Sequence, residues 1–295
     1  MTSIDTGLAQ VRTEVEVPRD APVGTGSRAS RILGVVTLVL TAVGLAYSLI
    51  ISPPDANQSN AARLLYIHVP SAIVAYVAFG VTALASVMVL WRKTEVWDLI
   101  AGASAEIGIV FTSLCLITGM LWGRPIWGVY WTWDARLTTT ALLLVLFVGY
   151  VALRRALAGT ANRAKWCAIA GIVAAIDVPI VHESTNWWVT LHQGQTVRLL
   201  GESEIGGSML FSLLLMMVAG LCGYVWLLLV RFRVGYLAER VDEYAFDEAI
   251  AQRRAEAASQ QRTAAHPDTP AHRDTPSDRA DTHRIATAST STEVD

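Results

Sequence analysis

Six stretches of this chain are apolar, nearly uncharged and long enough to cross a bilayer, and that pattern constrains the fold more than any other feature. A hydrocarbon core about 30 Å thick takes about 20 residues of helix. Inside lipid every backbone N–H and C=O must be paired within a helix or a closed barrel. Residues 32–51, 66–91, 99–120, 137–153, 166–181 and 205–230 are the candidates; the fifth is short and interrupted by Asp177 and Pro179. The expected fold is all-α, a polytopic integral membrane protein with six transmembrane helices. Composition agrees, because 53% hydrophobic against 16% charged residues is too apolar for soluble domains in a chain of 295.

The loops orient the bundle. One alternate set carries Arg92, Lys93, Arg154, Arg155, Arg163, Lys165, Arg231 and Arg233, the other only Arg63, Arg124, Arg136 and Arg198. Positive charge prefers the cytoplasmic side. Both termini are therefore expected in the cytoplasm, with loops 52–65, 121–136 and 182–204 outside. Residues 1–31 are polar and partly acidic, unlike a basic signal peptide, so the first helix is expected to stay. The expected division is a cytoplasmic segment 1–31, a membrane domain 32–233 and a charged cytoplasmic tail 234–295. That tail turns rich in Ala, Thr, Asp, Pro and Gln and is expected to be disordered from about Ala257. Its histidines, His266, His272 and His283, read as solvated linker rather than a metal tract.

Several classes drop out. Lys+Arg 23 against Asp+Glu 25 leaves no basic face for nucleic acid. Cys115, Cys167 and Cys222 have no CxxC spacing and read as small core residues. No GxxxxGK[ST] loop, HExxH or GxSxG elbow is present, so ATP hydrolysis would have to come from a partner.

The unusual residues gather at the outer face. His68 precedes Pro70, which suits the first turn of a helix; His192 follows Trp187 and Trp188; His182 lies near the same level. Between them run Trp122, Trp127, Trp131 and Trp133 with Tyr130, flanked by Arg124 and Arg136, in a chain with ten tryptophans. An interfacial aromatic belt explains one or two rings per loop. So dense a set beside Gly and two arginines also suits a flat conjugated ligand with carboxylates, such as haem, whose iron takes imidazole. A planar metallo-cofactor site, an ordinary interaction surface and a transporter for another substrate all stay open on the residues alone. Asp134 is positioned to cap the fourth helix or to orient Arg136 or an imidazole. Asp177 fits a structural cap or a partner for a histidine. Glu106, seven residues into the third span, is either a functional group or an internal hydrogen-bonding one.

Taken together, Leu65-Tyr66-Ile67-His68-Val69-Pro70, Trp122-Gly123-Arg124-Pro125-Ile126-Trp127-Gly128 with Trp131-Thr132-Trp133-Asp134-Ala135-Arg136-Leu137-Thr138, and His182-Glu183-Ser184 with Trp187-Trp188 and Leu191-His192-Gln193-Gly194 resemble the cytochrome c maturation protein C family, also called the haem exporter protein C family. The resemblance covers about residues 32–233. It implies a six-span protein of the bacterial inner membrane that binds haem b (iron protoporphyrin IX) at the extracytoplasmic face through His68 and His192 as axial ligands. Trp122, Trp127, Trp131, Trp133 and Asp134 would form the haem platform, with His182 in a supporting place at most; on the residues themselves, Arg124 or Arg136 is the candidate partner of the propionates. It implies presentation of haem to a periplasmic haem chaperone, which attaches it covalently through a histidine. The ATPase and permease subunits of an ATP-binding cassette complex and a small single-span subunit would be partners. This is haem binding and transfer rather than conventional enzymology. The alternatives are larger relatives that deliver haem directly to apocytochrome c, and a non-haem membrane scaffold or transporter subunit. The long tail after Arg233 departs from the compact family pattern.

Overall fold

The computed structural model describes residues 28–192 and 207–265. Every regular element among them is helical: α1 (Arg28–Ala46) continued by a π-helical turn (Tyr47–Ile51), a 3₁₀ turn (Asn60–Leu64) leading into α2 (Leu65–Arg92), α3 (Glu95–Trp127), α4 (Ala135–Ala156), α5 (Arg163–Ala175), α6 (Asp177–Trp187) and α7 (Gly207–Ala265). Six helical stretches are long and apolar enough to cross a membrane, α5 and α6 counting together as one. The fold is that of a polytopic all-α membrane protein.

Local chemistry explains the ends. Lys93 turns left-handed (φ 52°) to stop α2, and Thr94 is extended before α3, whose first turn carries Glu95 and Asp98 where the helix dipole favours negative charge. Gly128 (φ 79°) ends α3 in the left-handed conformation, its N–H donating to the Arg124 carbonyl at 3.1 Å. Asp134 caps α4 by accepting the Arg136 N–H at 2.9 Å.

Three boundaries differ from the sequence expectation. Apolar run length misplaces the end of the third span: α3 continues through Pro125 to Trp127, so Trp122 and Trp127 stand on a helix rather than in a loop. Pro70 is the sixth residue of α2, just beyond its first turn; His68 lies in that first turn, and a 3₁₀ turn precedes it. The fifth span reaches Trp187 and is broken at Ile176, where α5 gives way to α6. Pro179 at the third position of α6 tolerates this place because the first N–H groups of a helix have no intrahelical acceptor.

The core of the residue 1–243 unit forms where α2, α3, α4 and α5 meet. Phe79 and Phe147 stack at 3.8 Å, with Tyr150, Leu143 and Cys167 buried around them. Gly108 is required here, because a Cβ at this position would lie 2.4 Å from Phe79. Tyr224 of α7 reaches Ser104 at 2.8 Å, and Ser104 donates to the Ala78 carbonyl, tying α7, α3 and α2 together. Glu106 forms an ion pair with Arg231 of α7 in which both side chains remain partly exposed. The second compact unit begins at Tyr244; its helix runs past Ala257 to Ala265, and His266, His272 and His283 lie outside the described residues.

Candidate functional site: a two-histidine cavity

A cavity of about 590 Å³ opens between α2, α3, α4, α6 and α7, within the size range of small-molecule and cofactor sites. His68, Trp122, Trp127, Arg136, His182 and His192 all line it.

The two histidines flagged by the outer motifs are mounted differently. His68 projects from α2, and its Nδ1 lies 2.9 Å from the Cys115 carbonyl and 3.2 Å from Thr118 Oγ1. A carbonyl only accepts, so Nδ1 carries the proton and Nε2 keeps its lone pair. Gly119 makes the space: a Cβ there would stand 2.9 Å from the His68 Cε1. His192 comes from the chain after α6, and its Nδ1 lies 3.2 Å from Asp134 Oδ1. The same carboxylate accepts from the Leu191 N–H at 2.9 Å, from Thr190 Oγ1 and from the Arg136 N–H. Burial works to raise the Asp134 carboxyl, but the bonds from Thr190, Leu191 and Arg136, with the nearby His192, outweigh it and hold the group below its usual range. Asp134 is thus an ionised acceptor, and His192 also presents Nε2. Burial pushes His192 below its ordinary 6.5; Asp134 opposes this and the Arg136 charge adds to it. Asp134 therefore fulfils both roles open to it from sequence, cap and histidine anchor.

The aromatic residues divide into two groups. Trp122 stands edge-on to His68 at 5.8 Å and Trp127 edge-on to His192 at 5.0 Å. Trp122 is held by its Nε1 donating to Gln58 Oε1 at 2.8 Å. Trp131 and Trp133 pack against each other at 5.7 Å outside the lining, and Trp133 is 82% exposed. Arg124 also lies outside it, its guanidinium donating to the Gly128 carbonyl and sitting 5.6 Å from the Tyr130 ring. Arg136 does line the cavity: it donates to the His182 carbonyl at 3.0 Å and to Thr185 Oγ1 at 2.9 Å, and makes no ion pair among the described residues.

Comparison with known proteins decides the family. The family model for "Heme exporter protein C" matches residues 20–246. The chain belongs to the heme exporter protein C family. It is 40% identical over 210 residues to the Heme exporter protein C of Haemophilus influenzae, covering 71% of this chain and 85% of that one. To the protein of the same name from Bradyrhizobium diazoefficiens it is 40% identical over 209 residues, 71% of this chain and 79% of that one. To that of Escherichia coli K12 it is 38% identical over 164 residues, 56% of this chain and 67% of that one. Membership in this family, with six apolar helices, makes the chain a multi-pass protein of the inner membrane.

Several cavity residues of this family member carry no sequence signal. Gln58 and Tyr76 belong to no motif, and the Cys115 carbonyl that fixes His68 is backbone, which any residue would supply. Thr118 and Gly119 follow Cys115 on the next turn of α3, and only the position of the helix reveals that they meet His68.

Proposed function

We propose that this protein holds haem b between His68 and His192 at the extracytoplasmic face and presents it to a periplasmic haem chaperone in cytochrome c maturation. The observation that carries this reading is the pair of imidazoles lining one cavity, each with Nδ1 committed to a carbonyl or carboxylate oxygen, which makes Nε2 the nitrogen able to ligate; at His68 the weakly bonding Cys115 thiol neighbours that atom at 3.9 Å. Metal-binding histidines are characteristically oriented this way, by a carbonyl or carboxylate on the other ring nitrogen. Among the described residues no three His, Cys, Asp or Glu side chains are grouped to hold a bare metal ion. Two imidazoles suit an iron that brings its own ring nitrogens. The family name points to the same cargo.

In this reading His68 is the fixed ligand, built into a helix, and His192 the ligand held by Asp134. Trp122 and Trp127 wall the cavity against water, and Arg136 faces a propionate. Trp131 and Trp133, with exposed Tyr130, Trp187 and Trp188, offer the chaperone an aromatic docking surface beside the haem rather than a wall behind it. Arg124 shapes that surface through Tyr130. Both termini lie in the cytoplasm, the side on which the ATPase of an ATP-binding cassette complex works. Its permease and a small single-span subunit meet the helices within the bilayer.

Co-expression with the chaperone tests the function. His68→Ala and His192→Ala are expected to abolish covalent haem on the chaperone, and Trp131→Ala with Trp133→Ala to reduce it while haem stays on this protein. Wild-type haem loading of the chaperone by the double histidine variant would overturn the reading.

A further inference from the structure

Beside His68 the cavity wall includes a residue that stands outside every motif. Residues 52–59 link the π-helical turn after α1 to the 3₁₀ turn before α2, and side chains at both ends of this connector bind the helices. At one end Ser52 Oγ lies 2.7 Å from the Tyr66 hydroxyl, a buried bond to the first turn of α2. At the other, Gln58 Oε1 accepts from Trp122 Nε1 of α3 at 2.8 Å, and Gln58 and Trp122 both line the cavity. An indole N–H only donates, so the Gln58 carboxamide must present its oxygen here.

The connector is folded so as to hold Gln58 in this place. Asp55 Oδ1 accepts from the Asn57 and Gln58 N–H groups, each at 2.8 Å. The Asp55 N–H donates to the Ser59 carbonyl at 3.2 Å, and the Ser59 N–H to the Asp55 carbonyl at 2.9 Å. Ser59 stands at φ 50° and ψ −134°. A residue other than glycine keeps such a conformation only where its surroundings impose it.

Three elements thereby close on one another. The chain from Gln58 runs through the 3₁₀ turn into the first turn of α2, which carries His68. Trp122 meets His68 edge-on at 5.8 Å and packs against the cluster of Leu65 and Tyr66. Gln58 supplies the remaining side, from the connector to the indole. A tryptophan on a helix has several side-chain rotamers open to it, and the Gln58 bond selects one. A buried N–H without its acceptor is costly, so loss of Gln58 favours a turn of the ring that changes the space open to the ligand.

We propose that Gln58 is a positioning residue for haem: by fixing the Trp122 indole, it keeps the wall on the His68 side in the shape that retains the porphyrin. The inference rests on the haem-binding reading above and adds the outer connector to the site. Gln58 acts through Trp122 and needs no contact with iron.

The first readout uses haem-free, full-length protein in mild detergent. Exchange of the Trp122 indole N–H is followed by NMR with isotope-labelled tryptophan, its signal being the one missing from Trp122→Phe. Exchange is expected to be about fivefold faster in Gln58→Ala, the loss of one ordinary hydrogen bond. It should stay slow in Gln58→Glu, which keeps an acceptor oxygen. The second readout is haem release from loaded protein into excess apomyoglobin, with each variant first matched to wild type in elution and melting. Gln58→Ala is expected to release haem about fivefold faster, and Gln58→Glu at the wild-type rate. In Trp122→Phe, which has no N–H to hold, adding Gln58→Ala should change release no further. Slow indole exchange in Gln58→Ala overturns the bond, and faster exchange with wild-type release overturns the positioning role. Further acceleration in the Trp122→Phe background overturns the route through Trp122. A wild type that takes up no haem overturns the haem-binding reading and the positioning role with it, a result the haem-free exchange measurement keeps distinct from the other three.

Discussion

Two buried aspartates, one at each end of the bundle, do opposite things with the same chemistry. Asp98, 3% exposed near the start of α3, takes Arg154 of α4 at 2.6 and 2.9 Å and Arg163 of α5 at 3.1 Å; Arg163 goes on to Glu239 of α7 at 2.8 Å. Gly102 lets Arg154 lie against α3, since a Cβ there would be 2.8 Å from its Nε. Four helices are pinned to one another at that end. Asp134, 7% exposed, also gathers several donors, but they belong to a single non-helical segment carrying His192. One carboxylate closes the bundle helix to helix; the other holds a ligand segment over an open cavity. The closed end lets the opposite end stay hollow without loss of the fold.

Breaking the closed end has the largest expected effect on stability. Asp98→Ala strands two partly buried arginines, and removing one partner of a buried ion pair costs about 3–5 kcal/mol. The melting temperature in detergent should fall sharply while the protein that stays folded keeps the wild-type haem spectrum. An unchanged melting point would mean the cluster does not hold the helices together.

Asp134→Ala sharpens the contrast. It removes the acceptor that orients His192, and loss of such an orienting partner lowers metal affinity about 10–100-fold. Titration of haem into the purified variant reads this directly, with a smaller melting shift than that of Asp98→Ala. Equal melting losses with unchanged haem affinity would make the two aspartates equivalent.

A pH series separates the ends further. Folding lowers the His192 pKa below 6.5, so the folded ring stays neutral and able to ligate at pH values where an exposed imidazole is already charged. Haem affinity should be flat down to pH 6.5 and fall only below it, as pH passes through the lowered folded value. The unfolded chain takes up that proton first, so the stability contributed by His192 is present above 6.5 and declines as pH drops beneath it. A midpoint for haem loss above 6.5 would contradict the burial of the ring.

The smallest effect is expected from Gly119→Ala. Its Cβ would crowd the His68 Cε1 at 2.9 Å, displacing a ring whose Nδ1 bond to Cys115 resists the move. A few-fold loss of haem affinity with little change in melting is the expected outcome of the same titration.

The number of spans was legible in the sequence because lipid leaves helix as the plain solution for a 20-residue apolar run. Their ends were not, since Pro125 and Pro70 are tolerated inside helices whose other backbone bonds stay satisfied, and composition alone does not say where. His68, His192 and Asp134 were legible as chemistry out of place at a membrane face. The division of the tryptophans was hidden: Trp122 and Trp127 enter the lining because α3 carries them there, while Trp131 and Trp133 follow the Gly128 turn and leave it. The change of packing partner at the α5–α6 break was equally hidden. Asp177 and Pro179 signalled an irregularity there, but its direction depends on which helix α6 packs against.

The claim that two imidazoles on opposite mounts bind one haem is tested most directly by oxidised and reduced absorption spectra of haem-supplied protein in mild detergent. Wild type, His68→Ala and His192→Ala would be compared with and without added imidazole. A stoichiometric low-spin spectrum is expected in wild type, with its loss in each variant and its return when free imidazole fills the vacated position. A low-spin spectrum that persists unchanged in either variant without imidazole would contradict the claim.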